Sequence, residues 1–200
     1  MNPQQIRTLL GGVESARRAK EYEDMRAAVH ALTSLLGDDQ SPGANQVRSQ
    51  ASYEQAMAAF QRATALLEEA KNFANQGAVQ ARSGEDKIGE LFAKMILGGH
   101  ILPALRMGRE AIEQLKLVHS EVGRLSPENE ADQARLSRVE MNVLLHLIDL
   151  AVEYDGDREQ VREWLTALEG NDTFQGYLTN DPQWAQQHLD KARTFAKSKT

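Results

Sequence analysis

Apolar residues recur at spacings of three and four along most of the chain, and the alternation expected of strands is nearly absent. Ile6, Leu9, Leu10, Val13 and Ala16 form one stripe over residues 4–19, and Met25, Val29, Leu32 and Leu36 form another over 22–36. Asp38-Asp39-Gln40-Ser41-Pro42-Gly43 then predicts a loop. Residues 47–82 carry the longest helical pattern. Tyr53, Phe60, Leu67, Ala74 and Ala81 recur every seven residues, and so do Ala56, Ala63, Ala70 and Gly77, offset by three. A strict heptad favours left-handed supercoiling against a partner helix, and small residues at one core position let that helix come close. Ala56, Ala63, Ala70 and Gly77 are therefore the expected close-packing seam, either within the chain or between two copies. A helix over 47–82 spans about 54 Å, which points to an elongated molecule or a bend near Asn72–Gly77.

Ser83-Gly84 interrupts the pattern, and Glu85 and Asp86 suit the first turn of a new helix. Ile88, Leu91, Phe92, Met95 and Ile96 continue it, Gly98-Gly99-His100 breaks it, and Pro103 restarts it toward Gly123. The short break predicts a long hairpin, 47–82 against 85–123. Ser126-Pro127-Glu128 reads as the start of a helix over 127–154. Its segment Met141–Val152 is apolar nearly all round and should be central. Asp155-Gly156-Asp157 turns the chain into a helix over 158–169 that carries Val161, Trp164, Leu165 and Leu168. Residues 171–181 read as irregular, and Asp181-Pro182 starts a last helix with Trp184, His188, Leu189, Ala192 and Phe195. Lys197–Thr200 reads as a frayed basic end. The expected fold is all-α: an elongated helical bundle or an irregular α-solenoid with a long central hairpin. Its parts are an N-terminal hairpin (1–37), the long hairpin (47–123) and a C-terminal helical subdomain (126–200).

Composition narrows the functional classes. Among the 200 residues, 29 acids against 23 bases give a net charge of −6, which disfavours nucleic acid as a partner. There is no cysteine, so thiolate chemistry, disulfides and zinc–thiolate sites are excluded. Met1–Arg7 lacks the basic and apolar regions of a secretory signal, which makes the cytoplasm the default expectation. The most membrane-like run, Leu91–Met107, carries Lys94, His100 and Arg106 and is broken by glycines and Pro103, so it reads as buried helix.

Three helix starts are alike: Glu21-Tyr22-Glu23-Asp24-Met25, Ser52-Tyr53-Glu54-Gln55-Ala56 and Asp157-Arg158-Glu159-Gln160-Val161. Their spacing is close to one and three periods of about 34 residues. Together with Ala56, Phe60 and Ala63, and with Leu145–Leu168 turning at Gly156-Asp157, these segments resemble the tetratricopeptide repeat family. The resemblance implies a groove that holds a helix or peptide of another protein and carries no chemistry of its own.

Catalytic signatures are missing. No phosphate-binding Gly-x-x-x-x-Gly-Lys loop, Gly-x-Ser-x-Gly elbow or Glu-x-x-His pair occurs, and His30, His100, His119, His146 and His188 lie too far apart for a local metal pair. Neither cofactor nor metal is expected. The reading that follows is a non-enzymatic interaction module, binding another protein or a second copy of itself through apolar helix faces. Phe174, Tyr177 and Trp184, beside the irregular segment, are candidate partner anchors. The alternative is a small-ligand binder or helical enzyme with a pocket near His146, a titratable group in an apolar helix.

Overall fold

Ser41 and Pro42 set the start of the longest helix. The Ser41 hydroxyl accepts the Ala44 N–H at 3.3 Å, and Pro42 takes the first helical position, where its missing N–H costs nothing. The helix thus begins five residues before the expected 47 and runs Pro42–Ser83. The computed structural model describes residues 3–154 and 156–197. Asp155 of the expected turn and Ser198–Thr200 of the basic end lie outside the described residues. Among the described residues every regular element is helical and there is no strand, so the protein is all-α. The elements are α1 (Pro3–Ala19), α2 (Tyr22–Leu36), α3 (Pro42–Ser83), α4 (Lys87–Ile96), a π-helical turn (Leu97–Ile101), α5 (Leu102–Ala104), α6 (Gly108–Val122), α7 (Glu130–Glu153), α8 (Arg158–Glu169), α9 (Asp172–Asn180) and α10 (Pro182–Lys197).

The chain forms two compact units, Met1–Leu66 and Leu67–Thr200. In the first, α1 and α2 form a hairpin. Lys20 adopts φ 64°, and the Glu21 N–H donates to the Ala16 carbonyl at 2.9 Å, which closes the α1 C-terminus. Val13, Ala16, Met25 and Ala58 make one core cluster, and Leu32, Leu36, Ala44 and Ala51 make another. The part of α3 in this unit therefore buries Ala44, Ala51 and Ala58, which are themselves spaced by seven. Arg17 of α1 and Glu54 of α3 form an ion pair beside these alanines, their side chains only 15% and 8% exposed. Arg48 donates to the carbonyls of Gly37 at 2.7 Å and Asp39 at 2.6 Å, fixing the loop from α2 to α3.

The second unit is built around α7, which packs against α4, α6, α8, α9 and α10. Val143, Leu144 and Leu147 are fully buried, as the all-round apolar pattern requires. Its start differs from the expected one. Asn129 caps the helix by accepting the Asp132 N–H at 2.9 Å, so the first turn follows Ser126-Pro127-Glu128 rather than including it. The expected second arm of the long hairpin is also divided. Residues after Ile96 pass through the π-turn and α5 before α6 runs back against α4. The π-turn has a packing cause. A Cβ on Gly98 would stand 2.9 Å from Leu115 Cγ, and one on Gly99 would stand 2.3 Å from His146 Cδ2, so both glycines bring backbone against neighbouring side chains.

Residues 171–181 are ordered as α9. The Asn171 side chain accepts the Phe174 N–H at 3.1 Å and donates to Ser137 O at 3.0 Å and Glu140 Oε2 at 2.8 Å. One buried amide thus caps α9 and joins it to α7. At the start of α4, buried Glu90 accepts from Arg82 Nε at 3.0 Å and pairs with Lys94 at 3.0 Å. The Arg82 hydrogen bond, with Lys94 beside it, lowers the Glu90 pKa to about 2. No helix among the described residues is long and apolar enough to cross a membrane.

Candidate interaction surface

The first two positions of the heptad set that reads as a buried seam lie on the outside of the first unit. Ala56 and Ala63 are exposed, and Tyr53 and Phe60 retain 60% and 56% of their surface. Ala59 is exposed as well, and Leu66 retains 63%. The expectation that Ala56 and Ala63 pack closely within the chain is therefore corrected. The α1–α2 hairpin covers the other heptad set, Ala44, Ala51 and Ala58, and the Arg17–Glu54 pair fixes that choice of face. In the second unit, Ala70 and Gly77 are half-buried, and a Cβ on Gly77 would meet the Ala93 methyl of α4 at 3.8 Å. That is an ordinary van der Waals distance, so the position has room for a methyl group beside α4.

Tyr53, Ala56, Ala59, Phe60, Ala63 and Leu66 recur at the three-and-four spacing of one helix face, and none carries a charge. Nearby Arg62 places its guanidinium 5.2 Å from the Tyr22 ring centroid, a cation–π contact with α2. In the second unit Phe73 and Val79 on the rest of α3 are exposed, as are Phe92, Leu117, Tyr154 and Tyr177 from different places on the chain. Isolated apolar residues of that kind are ordinary, whereas a contiguous stripe on one helix is the kind of surface that marks an interaction site.

The aromatic trio proposed as partner anchors behaves differently. Phe174 is fully buried and belongs to the core, because α9 is a helix packed on α7. It cannot reach a partner in the folded protein. Trp184 is half-buried, with its ring 5.0 Å from Tyr177, 6.4 Å from Phe174 and 4.5 Å from His188. Of the three, only Tyr177 is exposed.

His146 is half-buried on α7, its ring against Gly99 and edge-on to His100 at 4.5 Å. Burial, reinforced by the neighbouring His100 and opposed by Asp149, lowers its pKa to about 4. Asp149 is itself held by Lys191 at 2.7 Å. The ring therefore fills packing space against the π-turn. Among the described residues no three His, Asp or Glu side chains are grouped to hold a metal ion.

No family model, curated protein or solved structure matches the chain.

Proposed function

We propose that this protein is a non-enzymatic interaction module whose docking face is the exposed stripe of α3, Tyr53 to Leu66. The single observation that carries the proposal is the exposure of Tyr53 and Phe60, at heptad spacing, on a charge-free face that continues to Leu66. The occupant that fits is an apolar α-helix. A seven-residue repeat offers another helix a seam of knobs and holes, and the alanines keep the approach close. The opposite face of the same segment is held by the α1–α2 hairpin and the Arg17–Glu54 pair, so α3 presents the stripe on a fixed support. Such a face suits a scaffold, an adaptor or a chaperone-like carrier. The segment that resembles a tetratricopeptide repeat in sequence lies on the α7–α8 pair and turns at Gly156–Asp157.

The test is site-specific photo-cross-linking from position 59 in the stripe, with Leu117 of α6 as the control position. The expected result is an adduct from position 59, mapped by mass spectrometry to a helical segment of defined sequence and lost in a Tyr53→Glu background. Equal labelling from both positions, or an adduct indifferent to Tyr53→Glu, would overturn the proposal.

A further inference from the structure

We infer that the helix received by the α3 stripe belongs to a second copy of this chain, laid antiparallel across the first. This rests on the reading of the stripe as the docking face and names its occupant. The argument begins with side-chain size. Along the stripe large and small residues alternate: Tyr53, Ala56, Phe60, Ala63. In a parallel pair each position meets its own equivalent, so Tyr53 would stack on Tyr53 and Ala56 would face Ala56 across a gap. In an antiparallel pair the two heptad positions exchange partners. Tyr53 of one copy then falls opposite Ala63 of the other, and Phe60 opposite Ala56, so the layers built from these four residues each join one ring and one methyl group. The same contacts repeat about the two-fold axis, as an isologous interface requires. The stripe is therefore complementary to itself in one orientation and not in the other.

Charge permits the same pairing. The stripe carries no ionic side chain, so a second copy meets no like charge on it, although the chain as a whole is acidic.

Area sets the strength. With roughly 200 Å² for a whole aromatic side chain, the exposed fractions of the stripe amount to about 500 Å² per copy. Two copies then bury about 1,000 Å², the lower bound for a specific interface. The dimer should accordingly be weak and concentration-dependent.

The chain contains no cysteine, which makes disulfide mapping direct. Light scattering and sedimentation of the full chain over a wide concentration range should show a monomer–dimer equilibrium. Tyr53→Glu should weaken it by about 30-fold, the effect of removing one central anchor. Ala56→Gln, which fills the hole opposite Phe60 at an exposed position, should weaken it as well while leaving the helical circular dichroism intact. Tyr53→Cys and Ala63→Cys chains, mixed and oxidised at high concentration, should form the 53–63 cross-link, and neither alone should cross-link efficiently. A chain that stays monomeric throughout overturns the second-copy inference, and the docking face is then judged by the photo-cross-linking result alone. Homotypic 53–53 cross-links overturn the antiparallel arrangement. A dimer indifferent to both Tyr53→Glu and Ala56→Gln overturns the inference and counts against the face itself.

Discussion

The imidazole of His146 rests directly on the backbone of Gly99: a methyl group added to that glycine would lie 2.3 Å from Cδ2 and 2.7 Å from Cγ of the ring. The ring cannot swing aside freely, because His100 meets it edge-on at 4.5 Å. Gly99→Ala should therefore force the π-turn away from α7 and destabilise the protein by about 1–3 kcal/mol, the usual cost of overpacking. Gly11→Ala is the matched control. It lies within α1 with nothing within 4 Å of its added Cβ, so the better helix former should stabilise by about 0.5–1 kcal/mol. Urea unfolding of the two variants should move in opposite directions, and destabilisation by both would contradict the packing described for Gly11.

The same histidine should leave a mark on stability against pH. Its folded pKa is about 4 and its ordinary value 6.5, so below 6.5 the unfolded chain binds the proton more readily. The contribution of neutral His146 is complete above pH 6.5 and declines as pH falls toward 4. Glu90 acts in a lower window. Its folded pKa of about 2 lies below the ordinary 4.5, so its contribution is full above 4.5 and is lost between there and about 2. Unfolding free energies from pH 8 to pH 3 should fall in both windows. His146→Gln should flatten the upper one, and Glu90→Gln the lower one.

Three helix ends carry a residue in the left-handed region where glycine is the favoured occupant: Lys20 at φ 64° after α1, Glu85 at φ 60° after α3 and Arg106 at φ 63° after α5. In each case the following N–H donates to the carbonyl five residues back, Glu21 to Ala16, Asp86 to Ala81 and Met107 to Leu102, all at 2.9 Å. A side chain in that conformation crowds its own carbonyl, and glycine relieves the strain while adding some entropy to the unfolded chain. Lys20→Gly and Glu85→Gly should each raise stability by about 0.5–1 kcal/mol in thermal or urea unfolding. A loss in both would mean that the side chains, rather than the backbone, hold these ends.

Helix type and many helix ends were legible in the sequence, because each rests on short-range chemistry. Asp157 caps α8 by accepting the Glu159 N–H at 2.8 Å, and Asp86 caps α4 by accepting the Gly89 N–H at 2.9 Å. The central place of α7 followed from its apolar circumference. The start of α3 was signalled by Ser41-Pro42, which reads equally well as the middle of a loop. Helix α9 was hidden because its order depends on Asn171 meeting Ser137 and Glu140, a contact that spans more than thirty residues. The candidate site was legible as a pattern and not as a position. Two heptads interleave on α3, and the aromatic one is the more conspicuous. The buried one is made of alanines, whose small area gives a weak hydrophobic signal. What selects it is tertiary: the α1–α2 hairpin supplies the bulk, and Arg17 on α1 demands Glu54.

That choice of face yields the sharpest test of the architecture. Ala58 is 2% exposed between Val13, Ala16 and Met25, so Ala58→Leu should overpack the first unit and cost about 1–3 kcal/mol. Ala63→Leu, five residues along the same helix, enlarges an exposed position and should change stability by less than about 0.5 kcal/mol. The two substitutions share chemistry and helix propensity and differ in the side of α3 they occupy. Unfolding should be measured at low concentration, so that any association through the stripe does not contribute. If Ala63→Leu proves the costly one, the α1–α2 hairpin covers the other face, and the stripe is core rather than docking surface.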